Sequence, residues 1–114
     1  MGIEVDWNRE DPTHREQMLT EGRRLATELR RLGATRVVLF GSRARGDELR
    51  DSDLDLLAIM PNPPGSTFPA RLRAIYELLR PRVAADIVVY TPEEVSRMPQ
   101  GSLVADALAS GVEL

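Results

Sequence analysis

The chain has 114 residues, 42% of them hydrophobic, no cysteine and a net charge of −3. That length fills one respectable core, and the acidic balance argues against a protein that grips nucleic-acid backbone through bulk positive charge, although local basic patches are compatible with it. Disulfides and thiolate metal sites are excluded, no apolar run approaches the roughly 20 residues that span a bilayer, and the first residues lack the basic-then-apolar pattern of a leader. These features predict a single soluble, cytoplasmic domain over residues 1–114.

In chain order, Asp11-Pro12 has the form of an N-cap with proline at the first helical position, and Met18, Gly22, Leu25, Leu29 and Leu32 then recur at three- and four-residue spacing. This predicts a long amphipathic helix that ends at Gly33. Arg36-Val37-Val38-Leu39-Phe40 is a short β-branched run, read as a buried strand that delivers Gly41-Ser42 to a sheet edge, with one helical turn behind it from Arg43 to Gly46. A second strand is expected from about Asp53 to Met60, closed by the loop Pro61-Asn62-Pro63-Pro64-Gly65-Ser66. Helix returns from Pro69 through Leu79, with Leu72, Ile75, Tyr76 and Leu79 on one stripe, and breaks before Pro81. A third strand follows at Ala85-Asp86-Ile87-Val88-Val89-Tyr90. Thr91-Pro92-Glu93-Glu94 carries a cap, a first-turn proline and a capping-box glutamate, so a short helix starts there. The last helix runs from about Ser102 to Ala109, with Gly111 beyond it as an expected left-handed cap. The order predicts an α/β fold, a mixed sheet of at least three strands packed against helices.

The chemistry is concentrated where the first strand ends. A glycine-serine pair after a strand is by itself a common turn, and Ser-Asp-x-Asp by itself is a common way to begin a strand. Here the two are joined: Gly41-Ser42, ten residues, then Asp53-Leu54-Asp55 leading into Leu56-Leu57-Ala58-Ile59-Met60. On a strand the side chains alternate, so Asp53 and Asp55 share one side while Leu54 and Leu56 point into the core. Two carboxylates held that close repel each other, and a bound divalent cation offsets the cost. Asp86 is a third acid on an apolar strand, and it reaches the same place if that strand neighbours the second.

With these residues in hand, the chain resembles the nucleotidyltransferase superfamily that includes DNA polymerase beta, and within it the minimal nucleotidyltransferases encoded beside HEPN-domain toxins. The resemblance runs from the first helix through the third strand and includes Tyr90-Thr91-Pro92-Glu93-Glu94. It implies that Gly41 and Ser42 contact nucleotide phosphates, that Asp53 and Asp55 bind Mg²⁺, and that Asp86 completes the metal site and assists deprotonation of an acceptor hydroxyl. Arg43 stands beside the turn as a further candidate for binding the nucleotide, and Arg45 as a weaker one, with ion pairs to Asp47, Glu48 or Asp51 as the plain alternative. The activity implied is transfer of AMP from ATP to a hydroxyl of a partner protein, with two Mg²⁺ ions. In that group the partner is the HEPN toxin, the acceptor is one of its tyrosines, and the transferase is the antitoxin. The alternatives are an antitoxin that works by steric masking alone, and transfer to a small molecule or a nucleic-acid end. No domain for holding tRNA, a DNA primer or an antibiotic is recognisable, so a nucleic-acid partner is not expected.

The remaining conspicuous residues read as structural. His14, the only histidine, is expected to be solvated. Trp7 is expected to staple the first helix, Tyr76 and Tyr90 to pack at the core or its rim, and arginines 23, 24, 30 and 31 to form the wet face of the first helix.

Overall fold

The computed structural model describes residues 12–45 and 53–114, apart from the side chains of Ser42 and Arg45. Asp11, Trp7, Gly46, the acids at 47, 48 and 51, and Ser52 lie outside the described residues. The elements are α1 (Pro12–Arg31), β1 (Arg36–Phe40), α2 (Gly41–Arg45), β2 (Leu54–Ile59), α3 (Phe68–Leu79), β3 (Ala85–Tyr90), α4 (Pro92–Ser96), α5 (Leu103–Ser110) and β4 (Val112–Glu113).

The four strands form one mixed sheet in the order β3-β2-β1-β4. β1 runs antiparallel to β2 and β4, whereas β2 and β3 are parallel and joined through α3 as a βαβ unit. β1 is therefore interior, and the Gly41-Ser42 turn sits at the end of the sheet rather than at its edge. β4 is an addition to the expected strands. Its two residues pair with Val38 and Leu39, too short a segment for periodicity to register.

Each sheet face is covered because strand alternation sends one set of apolar residues each way. On one side, Leu54, Leu56, Ala58, Ile87 and Val89 pack with Met18, Leu25 and Leu29 of α1 and Ile75 and Leu79 of α3. On the other, Leu57 and Ile59 pack with Val104 and Ala107 of α5, with Phe40, Val88, Tyr90 and Val95 around them. α4 begins with the expected capping box: the Thr91 side chain accepts from the Glu94 backbone, and the Glu94 carboxylate accepts from the Thr91 N–H. Arg71 of α3 also donates to Glu94, and these two donors together hold its pKa below the usual carboxylate range.

Gly111 corrects an expectation. Its φ is −73° and ψ is 173°, so it ends α5 in extended rather than left-handed backbone. The reason for glycine is close approach: a Cβ would lie 2.3 Å from Val38 Cγ1 and 2.8 Å from the Leu39 carbonyl oxygen. Only a bare Cα lets α5 turn directly into β4 against β1.

Arg24 is a second correction, since it is not part of a solvated face. Its guanidinium donates to both oxygens of Glu21 at 2.6 and 2.8 Å and to the Leu79 and Arg80 carbonyls that end α3. Glu21 is buried and also accepts the Arg82 N–H at 2.6 Å. The pair thus clamps α1 to the α3–β3 turn, where Arg80 adopts a left-handed φ of 47°. His14, half-buried and engaged within the protein, is likewise less solvated than expected.

Hydrogen bonding from Arg24 lowers the pKa of Glu21, outweighing the opposing effect of burial. A carboxyl whose folded pKa lies below its unfolded value adds stability above the unfolded pKa and loses it as pH falls through the folded one. Glu21→Gln is therefore expected to cost about 2 kcal/mol at neutral pH, the scale of a lost charged hydrogen bond. Urea titrations should show that gap closing in acid, as pH falls through and below the ordinary glutamate range and wild-type Glu21 becomes protonated as well. A gap that persists unchanged at low pH would show that packing, not charge, makes the clamp.

Candidate active site

The site lies where β1 and β2 meet at the end of the sheet. Phe40, the last residue of β1, pairs with Asp55, and Asp55 in turn pairs with Asp86 of the parallel neighbour. Adjacent strands run about 4.8 Å apart, so the register sets the two carboxylate-bearing residues side by side. Both belong to the sheet face that α5 covers farther along, at Leu57 and Ile59. α5 does not extend over this end: Asp55 is half-buried and Asp86 exposed, where the apolar residues behind them are buried. The acids therefore point out of the core, as strand alternation predicts for Asp55.

Gly41 fits against Asp55 without any spare space. Its φ is +74°, and a Cβ there would lie 2.4 Å from Asp55 Oδ2 and 3.3 Å from Asp55 Cγ. The backbone of the turn thus passes directly over the carboxylate, an approach that a side chain would block. Ser42 follows as the second residue of α2. Arg43 is buried, at 6% exposure, and engaged within the protein beside the turn. Asp53 is exposed and immediately precedes β2, on the Asp55 side by strand alternation.

A cleft of about 570 Å³ opens beside the acids, lined by Phe40, Gly41, Asp55, Asp86, Val88 and Leu103 and, on α5, by Asp106 and Ala107. Asp55 and Asp86 are brought together there, whereas Asp53 stands outside the lining. Asp106 and Leu103 were not anticipated. Asp106 is an ordinary acid in the first turn of a helix, and Leu103, 72% exposed at the rim, resembles any apolar helix residue in sequence.

Among the described residues, no three His, Cys, Asp or Glu side chains close into a ready-made metal cage. That agrees with the donor chemistry of Mg²⁺, which keeps its waters and binds through one or two carboxylates together with substrate phosphates. The Asp55–Asp86 pairing next to a turn too close-fitting for a Cβ suits such an ion.

The mixed sheet with its glycine turn set against Asp55 is a nucleotidyltransferase fold. Residues 23–112 match the family model described as a nucleotidyltransferase domain, and the chain belongs to that family. It is similar to a structure described as a "putative minimal nucleotidyltransferase", with 31% identity, a TM-score of 0.58, and coverage of 99% of this chain and 100% of that one. A "putative nucleotidyltransferase" from Sulfolobus solfataricus has the same fold, at 23% identity and a TM-score of 0.63, covering 89% of this chain and 82% of that one. No curated protein matches the chain. Among the described residues, no helix is long and apolar enough to cross a membrane.

Proposed function

We propose that the chain transfers AMP from ATP to a hydroxyl of a partner protein, with Mg²⁺, and that the partner is a HEPN-type toxin whose modified tyrosine silences it. The observation that carries the chemistry is the Asp55–Asp86 register pair, with the Gly41 turn set directly against Asp55. Asp53, Asp55 and Asp86 would hold the metal. When bound, Mg²⁺ supplies positive charge to the triphosphate and to the attacking oxygen.

The chain's own residues do the rest. Backbone N–H groups of the Gly41-Ser42 turn bind the β- and γ-phosphates, with the Arg43 guanidinium beside that turn as a further phosphate ligand. The acceptor hydroxyl attacks the α-phosphorus. A new O–P bond forms, the bond from the α-phosphorus to its β-bridging oxygen breaks, and pyrophosphate departs. Asp86 takes the hydroxyl proton, for which an exposed carboxylate at the mouth of the cleft is well placed. The acceptor side of the cleft is apolar at Phe40, Val88 and Leu103, and exposed Leu103 gives a partner protein something to cover.

Incubation with a HEPN-type partner, ATP and Mg²⁺ is expected to raise the partner's mass by one or more AMP units, and the modification should persist after the two proteins are separated. Neutralisation should require Asp53, Asp55 and Asp86. A triple Asp→Asn variant that protects fully while leaving the partner unmodified would replace this reading with steric masking.

A further inference from the structure

Among the described residues, β3 is an edge strand, with β2 on one side only. Backbone groups along a strand alternate in direction. Ala84 and Tyr90 accept from Leu54 and Met60, so the even-numbered residues of this segment, Asp86 included, turn their backbone groups toward β2. The odd-numbered residues face the open edge, where no further strand among the described residues satisfies them. α3 fills that role with side chains. The Tyr76 hydroxyl donates to the Ala85 carbonyl at 2.8 Å and accepts the Ile87 N–H at 2.9 Å, and Arg71 donates to the Val89 carbonyl at 3.0 Å.

Tyr76 therefore bridges the two residues that flank Asp86. One hydroxyl serves as donor to one and acceptor from the other, as a neighbouring strand would. The ring is fixed in turn, packed against the core cluster that contains Ile75 and Leu79. The bridge lies at the end of β3 where Asp86 emerges from cover into the cleft, on the side of the strand opposite its pairing with β2.

We infer that Tyr76 is a positioning residue for Asp86: its hydroxyl pins the free edge of β3 so that Asp86 is held beside Asp55. This rests on the reading of Asp86 as a metal-binding acid given above. It also assigns Tyr76 a polar role where sequence periodicity indicates only packing. The same bridge occupies the Ala85 carbonyl and the Ile87 N–H, two of the groups another chain would need to extend the sheet from this edge.

The test uses Mn²⁺, which takes the same oxygen ligands as Mg²⁺, titrated into the full-length protein saturated with ATP. Asp86→Asn is expected to weaken the second ion by about tenfold, and Tyr76→Phe, which keeps the ring, by about three- to fivefold, the scale of one hydrogen bond. ATP affinity should change less than about twofold in either variant, because the phosphates are held at the Gly41-Ser42 turn. The double variant should bind Mn²⁺ no worse than Asp86→Asn alone, since Tyr76 acts only through that carboxylate. Amide exchange at Ile87 should accelerate in Tyr76→Phe, while Leu57 and Ala58 in β2 stay protected. If Asp86→Asn loses the ion and Tyr76→Phe does not, or if the two losses add, the positioning role is overturned and the functional reading stands. If Asp86→Asn binds Mn²⁺ as wild type does, the assignment of Asp86 to the metal falls, and the positioning role falls with it. Unaltered exchange at Ile87 would overturn the edge-pinning step itself.

Discussion

Asp53→Asn combined with Asp55→Asn is expected to abolish Mg²⁺-dependent ATP binding while leaving the fold intact. The two acids stand on one side at the start of β2, one exposed and one half-buried, so neither contributes to a core cluster. Asparagine keeps an oxygen in the same place and removes a like-charge repulsion, which leaves packing undisturbed. What it removes is the anionic donor set that a hard cation requires, and with it the bridge between protein and triphosphate. Calorimetric titration should register a loss of about 100-fold or more, equivalent to about 2.7 kcal/mol. Chelating Mg²⁺ should bring wild type down to the level of the variant. Thermal midpoints within a few degrees of each other would confirm that the fold survives, and an unchanged Mg²⁺-ATP affinity in the variant would remove Asp53 and Asp55 from the metal site.

The parts of this molecule that could be read from its sequence are those fixed by local rules. The span of β3 and the capping box at Thr91 follow from β-branched runs and cap chemistry, which act within a few residues. The site residues stood out for a similar reason: aspartate at the start of an apolar strand conflicts with its neighbours, and such conflicts mark function. What could not be read depends on contacts far along the chain. Asp86 was legible as a third acid, but its meeting with Asp55 depends on the parallel pairing of β2 with β3. Gly111 was recognisable as a helix end, but its extended backbone answers to Val38, which lies on β1. Arg24 looked like part of a solvated face because nothing nearby in sequence reveals the Leu79 and Arg80 carbonyls it serves. Tyr76 fits an apolar stripe equally well whether or not its hydroxyl reaches a strand edge, and periodicity carries no information on that point.

Gly41→Ala is expected to disable the site through geometry alone, with every acid still in place. Two costs arise together. A left-handed φ of +74° strains any L-residue, by about 1–2 kcal/mol. The new Cβ would also lie 2.4 Å from Asp55 Oδ2, so either the carboxylate rotates away or the turn lifts from it. Each movement separates the proposed phosphate cradle from the proposed metal ligand. Gly33 provides the control, because its φ is +107° and a Cβ there meets nothing within 4 Å. Gly33→Ala should therefore lower stability through backbone strain and leave Mg²⁺-ATP affinity alone. Gly41→Ala should lower stability by a comparable amount, about 1–3 kcal/mol, and in addition weaken Mg²⁺-ATP binding by about tenfold or more. Urea titration and calorimetry on the two variants separate the effects. If Gly41→Ala binds Mg²⁺-ATP as tightly as Gly33→Ala does, the close passage of the turn over Asp55 is a packing feature and the metal and phosphate sites are independent. If only Gly41→Ala loses affinity, the turn and the carboxylate work as one unit, which the missing side chain at position 41 makes possible.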